Sequence, residues 1–211
     1  MSVPRTPRLL ALLLLLIAGL AWLGHEVANG RTTQFDRQVR DAIHQHASPP
    51  LTRAMMIVSF IGSAYVILPL TIALFVVLWR AGLRHHARLF AFAMAGDVPI
   101  EQTLKWAFHR PRPEPFFDYA LPVSYSFPSG HAITSLIFCG TLAALLAPRL
   151  RNTWSKLLLW VAATLIIAAI GFSRIYLGVH YPTDVIAGYA AGLAWVLGVW
   201  SVYSANLPQT L

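Results

Sequence analysis

Three short blocks of this 211-residue chain gather side chains able to handle a phosphoryl group: KWAFHRPRP at Lys105–Pro113, FPSGH at Phe127–His131 and SRIYLGVHYPTD at Ser173–Asp184. Lys105, Arg112 and Arg174 are fixed cations. His131 and His180 can carry a proton or a phosphoryl group near neutral pH. Asp184, four residues after His180, can orient its imidazole. The inventory suits gripping and cleaving a phosphate ester. Its place beside long apolar stretches puts that ester on a lipid.

Each block also has a plainer reading. Lys105 sits near the end of an apolar stretch and can simply snorkel to headgroups. Glu101 and Asp97, one and two turns earlier on the same face, can pair with it or hold a buried interhelical hydrogen bond in a supporting role. Arg112 lies between Pro111 and Pro113, which keep its backbone extended and prepare the guanidinium for bidentate phosphate contact. Its neighbours His109 and Arg110 read as rim residues or lipid-headgroup contacts. Ser129 opens an apolar helix and is a candidate N-cap. The same helix start is a candidate anion site, with Gly130 allowing close approach and His131 placed to protonate a leaving alkoxide. Pro182 fits the first turn of the next helix, which puts Asp184 in its opening turn, where a carboxylate also favours the helix dipole. Taken singly, the alternatives stay open. Taken together, the plain readings must hold independently while all three blocks face one side.

The elements that must position these blocks are transmembrane. The chain is 57% hydrophobic and 11% charged, with a mean hydropathy of +0.60, whereas soluble domains carry about 25% charged residues. The expected fold is all-α: a polytopic six-transmembrane-helix bundle forming a single domain over 1–211, with the motifs within 105–184. Spans are expected at about Leu9–Gly24, Met55–Trp79, Leu89–Phe108, His131–Leu146, Leu157–Ser173 and Thr183–Tyr203. Arg5 and Arg8 precede the first, which also has the form of a signal peptide; an uncleaved helix is favoured, because Trp22 suits an interfacial anchor and a second span follows. The second span has a break point at Gly62-Ser63 and a kink at Pro69. Between the first two spans, Phe35, Val39 and Ile43 share one helical face, which predicts a short amphipathic helix on the bilayer surface, ended by Ser48-Pro49-Pro50.

An even number of spans puts both termini on one side. That side, with the Arg80–Arg88 and Arg149–Lys156 loops, holds eight of the sixteen Lys and Arg residues. Setting aside Lys105, Arg112 and Arg174, which have another reason to be where they are, leaves eight against five. The first side is then cytoplasmic and the three blocks face outward. The net charge of +8 reads as topology and attraction to anionic lipid, and no basic stripe points to nucleic acid. The single Cys139 excludes an intramolecular disulfide and a multi-cysteine metal site.

Lys105, then Arg112-Pro113 after six intervening residues, then Pro128-Ser129-Gly130-His131, then Ser173-Arg174 with His180 and Asp184 following after five and three intervening residues, resembles the three-part signature of the type 2 phosphatidic acid phosphatase superfamily. The spans make the chain similar to its membrane-bound lipid phosphatases rather than to its soluble acid phosphatases or vanadium haloperoxidases. The resemblance implies that His180 attacks phosphorus and forms a phosphohistidine, that Asp184 orients His180, and that His131 protonates the leaving oxygen and then activates water. It implies that Lys105, Arg112, Ser129, Gly130 and Arg174 hold the phosphoryl oxygens. No cofactor or metal is expected: the fixed cations replace a magnesium clamp, and they oppose zinc on His131, His180 and Asp184.

The expected partners are a lipid phosphate substrate and membrane lipids, with no nucleic acid and no obligatory protein partner. The expected location is the bacterial cytoplasmic membrane with the site facing the periplasm or exterior. Undecaprenyl diphosphate is the first candidate substrate, beside phosphatidic acid, phosphatidylglycerol phosphate and lysophosphatidic acid. The competing readings are a non-hydrolytic lipid or phosphate transporter and a vanadate-dependent haloperoxidase-like activity.

Overall fold

A computed structural model describes residues 6–117 and 123–205, and Arg5 lies outside them. Nine α-helices and one 3-10 turn make up the regular structure of the described residues: α1 (Thr6–Ala28), α2 (Thr33–His44), α3 (Pro49–Ile61), α4 (Ala64–Arg80), α5 (Arg84–Ala95), α6 (Asp97–Phe108), α7 (Gly130–Leu146), the turn Ala147–Arg149, α8 (Thr153–Tyr176) and α9 (Pro182–Ala205).

Four helices are long and apolar enough to cross a bilayer: Pro7–Ala28, Gly130–Arg149, Thr153–Tyr176 and Pro182–Tyr203. Their outward faces carry large apolar side chains in the open, among them Leu15, Leu158, Leu165 and Val202. An aqueous surface does not sustain so much exposed hydrocarbon, and a bilayer does. The chain is a multi-pass membrane protein.

Two expected spans are interrupted. The pair α3 and α4 bends by 42° where Gly62 and Ser63 break the helix, so the stretch expected at Met55–Trp79 is a broken one. The stretch expected at Leu89–Phe108 is two helices of 12 residues, α5 and α6, meeting at Gly96. Asp97, Glu101 and Lys105 lower the hydropathy of the second half, and neither half is long enough to cross alone.

Helix α7 is the centre of the bundle. It packs on α9 and α8 on one side and on α5, α6 and α4 on the other, which is why it is apolar all round rather than on one stripe. Ile133, Ile137 and Phe138 of α7 join Phe90 of α5 and Ala191 and Val199 of α9 in the main core. Helix α1 closes the bundle against α9. Small residues set the close crossings: a Cβ at Gly188 of α9 would lie 2.7 Å from the Ser129 carbonyl and 2.8 Å from Ala132. Glycine there lets α9 reach the start of α7.

Helix α2 forms where an amphipathic helix is expected, but its inward face differs. Phe35 is exposed, while Asp36 is fully buried and Val39, Arg40, Ile43 and His44 are half-buried on the same stripe. The helix rests on α8 and α9. Its charged residues turn inward because buried partners await them there, whereas an apolar-only face would have met bilayer.

Candidate active site

Four helix ends converge at one end of the bundle. Lys105 is in the last turn of α6, Ser129 and Gly130 start α7, Arg174 is in the last turn of α8 and Asp184 is in the first turn of α9. His180 lies in the short α8–α9 loop. That loop turns at Gly178, whose φ of +75° favours glycine. The Ser129 N–H donates to the Asp184 carbonyl at 2.9 Å and ties the starts of α7 and α9 together.

His180 is buried, with its Nδ1 3.4 Å from Oδ2 of Asp184 and its Nε2 3.1 Å from Nη1 of Arg112. A carboxylate on one side and a guanidinium donor on the other assign the tautomer: Nδ1 carries the proton and Nε2 offers its lone pair. Burial pushes this imidazole down to about 4; Asp184 pulls it upward, and Arg112 and Arg174 press it lower. At neutral pH His180 is uncharged, and its Nε2 lone pair faces the Arg112 donor. Asp184 is fully buried. Its Oδ2 also accepts from the Tyr181 N–H at 2.8 Å and from the Ser126 hydroxyl at close range.

The cations are held from outside the pocket. Arg112 donates through Nε to the Ser124 carbonyl at 2.8 Å, through Nη2 to the Ser124 hydroxyl at 2.9 Å and through Nη1 to the Val179 carbonyl at 3.0 Å. Lys105 reaches the same hydroxyl at 3.2 Å and pairs with Glu101 at 2.6 Å. Arg174 is buried and donates to the Ser59 hydroxyl of α3. Burial pushes the pKa of the Arg112 guanidinium below its ordinary value, Arg174 pushes it further down, and Asp184 and Glu101 oppose. The His131 imidazole lies within electrostatic reach of Arg174, His180 and Arg112 and meets the Ser59 backbone. These contacts link Lys105, Arg112, His131, Arg174, His180 and Asp184 at one end of the bundle.

Ser129 occupies the N-cap position of α7 but makes no capping bond. Its hydroxyl is buried and has no hydrogen-bond partner in the protein. A buried hydroxyl without a partner is costly, and this one stands at the start of α7. Glu101 packs directly against Gly130, where any side chain would displace it. Asp97 accepts from Thr134 of α7 at 2.6 Å, an α6–α7 link. Among the described residues, no group of three or more His, Cys, Asp and Glu side chains is arranged to hold a metal ion.

One sequence expectation fails at Arg110. It is not a rim residue: its side chain is 11% exposed and forks between two buried carboxylates, Nη1 to Oδ1 of Asp184 at 2.6 Å and Nη2 to Oδ2 of Asp36 at 2.7 Å. The adjacent Tyr181 ring lies 3.9 Å beneath the guanidinium. Asp36 also accepts from the Thr183 N–H at 3.0 Å and its hydroxyl at 2.8 Å. Asp36, Ser59, Ser124 and Ser126 were not singled out by sequence. The available signal was Asp36 and Arg40 one turn apart on the stripe that carries Val39 and Ile43. His109 does remain at the rim, exposed and against Tyr125.

Undecaprenyl-diphosphatase of Sulfolobus acidocaldarius is 29% identical over 208 residues, which is 96% of this chain and 90% of the relative. Phosphatidylglycerophosphatase B of Bacillus subtilis is 30% identical over 69% of this chain and 71% of its own length. The crystal structure of a transmembrane PAP2 type phosphatidylglycerolphosphate phosphatase from Bacillus subtilis superposes with a TM-score of 0.86 at 24% identity, covering 94% of this chain and 98% of that one. The profile described as the PAP2 superfamily matches residues 86–208, a stretch that holds all three motif blocks. On that match, and with Lys105, His131, His180 and Asp184 gathered at one end of its helices, the chain belongs to the PAP2 superfamily.

Proposed function

We propose that this protein is a metal-independent lipid phosphatase acting through a phosphohistidine at the outer face of a bacterial cytoplasmic membrane. The observation that carries the reading is the two-sided hold on His180: Asp184 on Nδ1, and Arg112 at Nε2 where a phosphoryl oxygen would arrive. In the first step Nε2 attacks phosphorus, the bond to the leaving oxygen breaks, and protonated His131 gives that oxygen its proton. The leaving group is a lipid alcohol from a monoester or a lipid monophosphate from a diphosphate. In the second step water attacks the phosphohistidine, His131 takes its proton, the N–P bond breaks and inorganic phosphate leaves. Arg112 releases His180 and moves its donor to the phosphoryl oxygen. Lys105, Arg174 and the Ser129–Gly130 helix start complete the oxyanion cradle.

Six crossings follow when α3–α4 and α5–α6 each count as one broken span beside α1, α7, α8 and α9. The helical torsions of Gly96 (φ −77°, ψ −16°) support the second pairing. The whole chain then forms one catalytic unit, with the Arg80–Arg88 and Arg149–Lys156 loops in the cytoplasm. Undecaprenyl diphosphate is the first candidate substrate, supported by the near full-length relative of that activity. The deciding experiment is phosphate release by purified protein, with chelator present, from a panel of lipid phosphates and diphosphates. Turnover in chelator with inhibition by vanadate, an imitator of the five-coordinate transition state, supports the reading. Turnover that requires added metal, or is indifferent to millimolar-scale vanadate, sinks it. For orientation, an impermeant thiol reagent on intact cells should label a cysteine placed at Glu114 and spare one placed at Arg151.

A further inference from the structure

We propose that Asp36 and Arg110 are positioning residues for His180, so that helix α2 belongs to the catalytic apparatus as well as to the membrane surface. The inference rests on His180 being the nucleophile. Asp184 has two carboxylate oxygens with separate tasks. Oδ1 is taken by Arg110 at 2.6 Å. Oδ2 faces His180, Ser126 and the Tyr181 N–H. A forked guanidinium on Oδ1 fixes the plane of the carboxylate, and the plane decides whether Oδ2 meets Nδ1 of the imidazole. Arg110 is itself fixed by Asp36, across 74 residues of sequence.

Asp36 has a second grip. It accepts from both the N–H and the hydroxyl of Thr183, the residue beside Asp184. One turn along α2, Arg40 donates to the Glu114 carbonyl at 2.7 Å and to the Gly178 carbonyl at 3.4 Å. Tyr181 lies between Arg110 at 3.9 Å and Arg40 at 5.4 Å. Helix α2 thus holds both loops that carry the reacting groups: the one with Arg112 and the one with His180. A helix serving only as a surface anchor has no need to bury a carboxylate against a catalytic aspartate.

The chain of charges makes a signed prediction. Asp184 stabilises a proton on His180, Arg110 weakens that effect, and Asp36 in turn offsets Arg110. The other charges facing His180 and Asp184 stay unchanged in both variants: Arg112 and Lys105 with Glu101, Arg174 of α8, His131 of α7, and Arg40 with Asp41 of α2. Arg110→Gln should therefore raise the pH of the acid limb of kcat/KM by about one unit, and Asp36→Asn should lower it by about half a unit. A merely structural role moves both variants alike or moves neither. Substrate ionisation is common to all enzymes and cancels in the comparison.

The experiment is the pH profile of kcat/KM for purified full-length wild type, Asp36→Asn and Arg110→Gln on one lipid phosphate, with vanadate-protected melting to confirm an intact pocket. Expected are opposite shifts of the acid limb and losses in kcat of about tenfold for Asp36→Asn and about a hundredfold for Arg110→Gln, with KM little changed. If Arg110→Gln loses vanadate-protected melting, Arg110→Lys replaces it. Lysine keeps the charge but not the fork, so the limb should stay while kcat falls. Shifts in the same direction, unshifted limbs in both Asp36→Asn and Arg110→Gln, or a loss confined to KM overturns the proposal. His180→Ala run alongside separates the two layers: an active His180→Ala removes the nucleophile reading itself, whereas an inert one with unshifted limbs removes only the role of α2.

Discussion

The two ends of the helical bundle carry similar numbers of cations and treat them in opposite ways. At one end Lys105, Arg110, Arg112 and Arg174 are buried or half-buried and bound to partners on other elements. At the other, Arg80, Arg84, Arg88, Arg149 and Arg151 are exposed. Their contacts there are local: Arg84 and Arg88 lie 5.6 and 5.9 Å from the Trp79 ring, and Arg149 donates to the carbonyl of Leu145, four residues before it. Every ion pair among the described residues belongs to the first end. Taking a cation out of water costs several kcal/mol unless it is paired, and only the first end meets that cost with cross-element bonds. Density of positive charge does not mark the site; burial with long-range partners does.

The sharpest way to break this contrast is to remove groups from each end. His180→Ala should lower turnover by about 10⁴-fold or more while leaving the protein extractable and monodisperse, as measured by phosphate release and size-exclusion profile. Arg174→Ala should lower kcat by about 10² to 10³, the effect of losing one donor to a developing oxyanion. Arg84→Gln and Arg149→Gln, assayed identically, should stay within about twofold of wild type, as surface charges do. A far-end variant as damaging as Arg174→Ala would erase the distinction between the ends.

Acid titration sharpens it further. The His180 imidazole is held down to about 4 by burial, with Arg112 and Arg174 adding to the effect against Asp184. With the neutral form as the proposed nucleophile, activity should persist as pH falls through 6.5 and be lost only as it passes through about 4. An enzyme limb in kcat/KM near 6.5, with the substrate's own ionisation subtracted, would place His180 in water rather than in this pocket. The smallest effect belongs to Ser129→Ala. The hydroxyl is buried without a protein partner, so its removal should leave the melting temperature unchanged or slightly higher and weaken vanadate binding about tenfold, the worth of one hydrogen bond to a charged ligand.

Much of this end was legible in the chain itself. The spacings of Lys105, Arg112, His131, Arg174, His180 and Asp184 singled out residues that the fold brings to one end of the bundle, and apolar length announced α1, α7, α8 and α9 within a few residues. The bracing was not legible. Asp36 meets Thr183 across 147 residues, and Ser59 meets Arg174 across 115. Such partners leave no local pattern, because what pairs them is the packing of α2 and α3 on α8. Arg110 misled for the same reason: a basic residue beside a proline at a membrane surface reads as exposed until its two carboxylates are in place. The interruption between α5 and α6 was missed because hydropathy averages over Gly96, where the break is a single residue that keeps helical torsions.

The central claim is that the lone pair on Nε2 of His180 takes the phosphoryl group. Its most direct test is to mix the purified protein with a ³²P-labelled lipid phosphate in the presence of chelator, quench within the first turnover and map the label by peptide. The account predicts an acid-labile, alkali-stable adduct on the peptide containing His180, absent in His180→Ala and accumulating when His131 is replaced and a phosphate-activated leaving group is supplied. Label on another residue, or phosphate release at full rate with no adduct at any quench time, would contradict it.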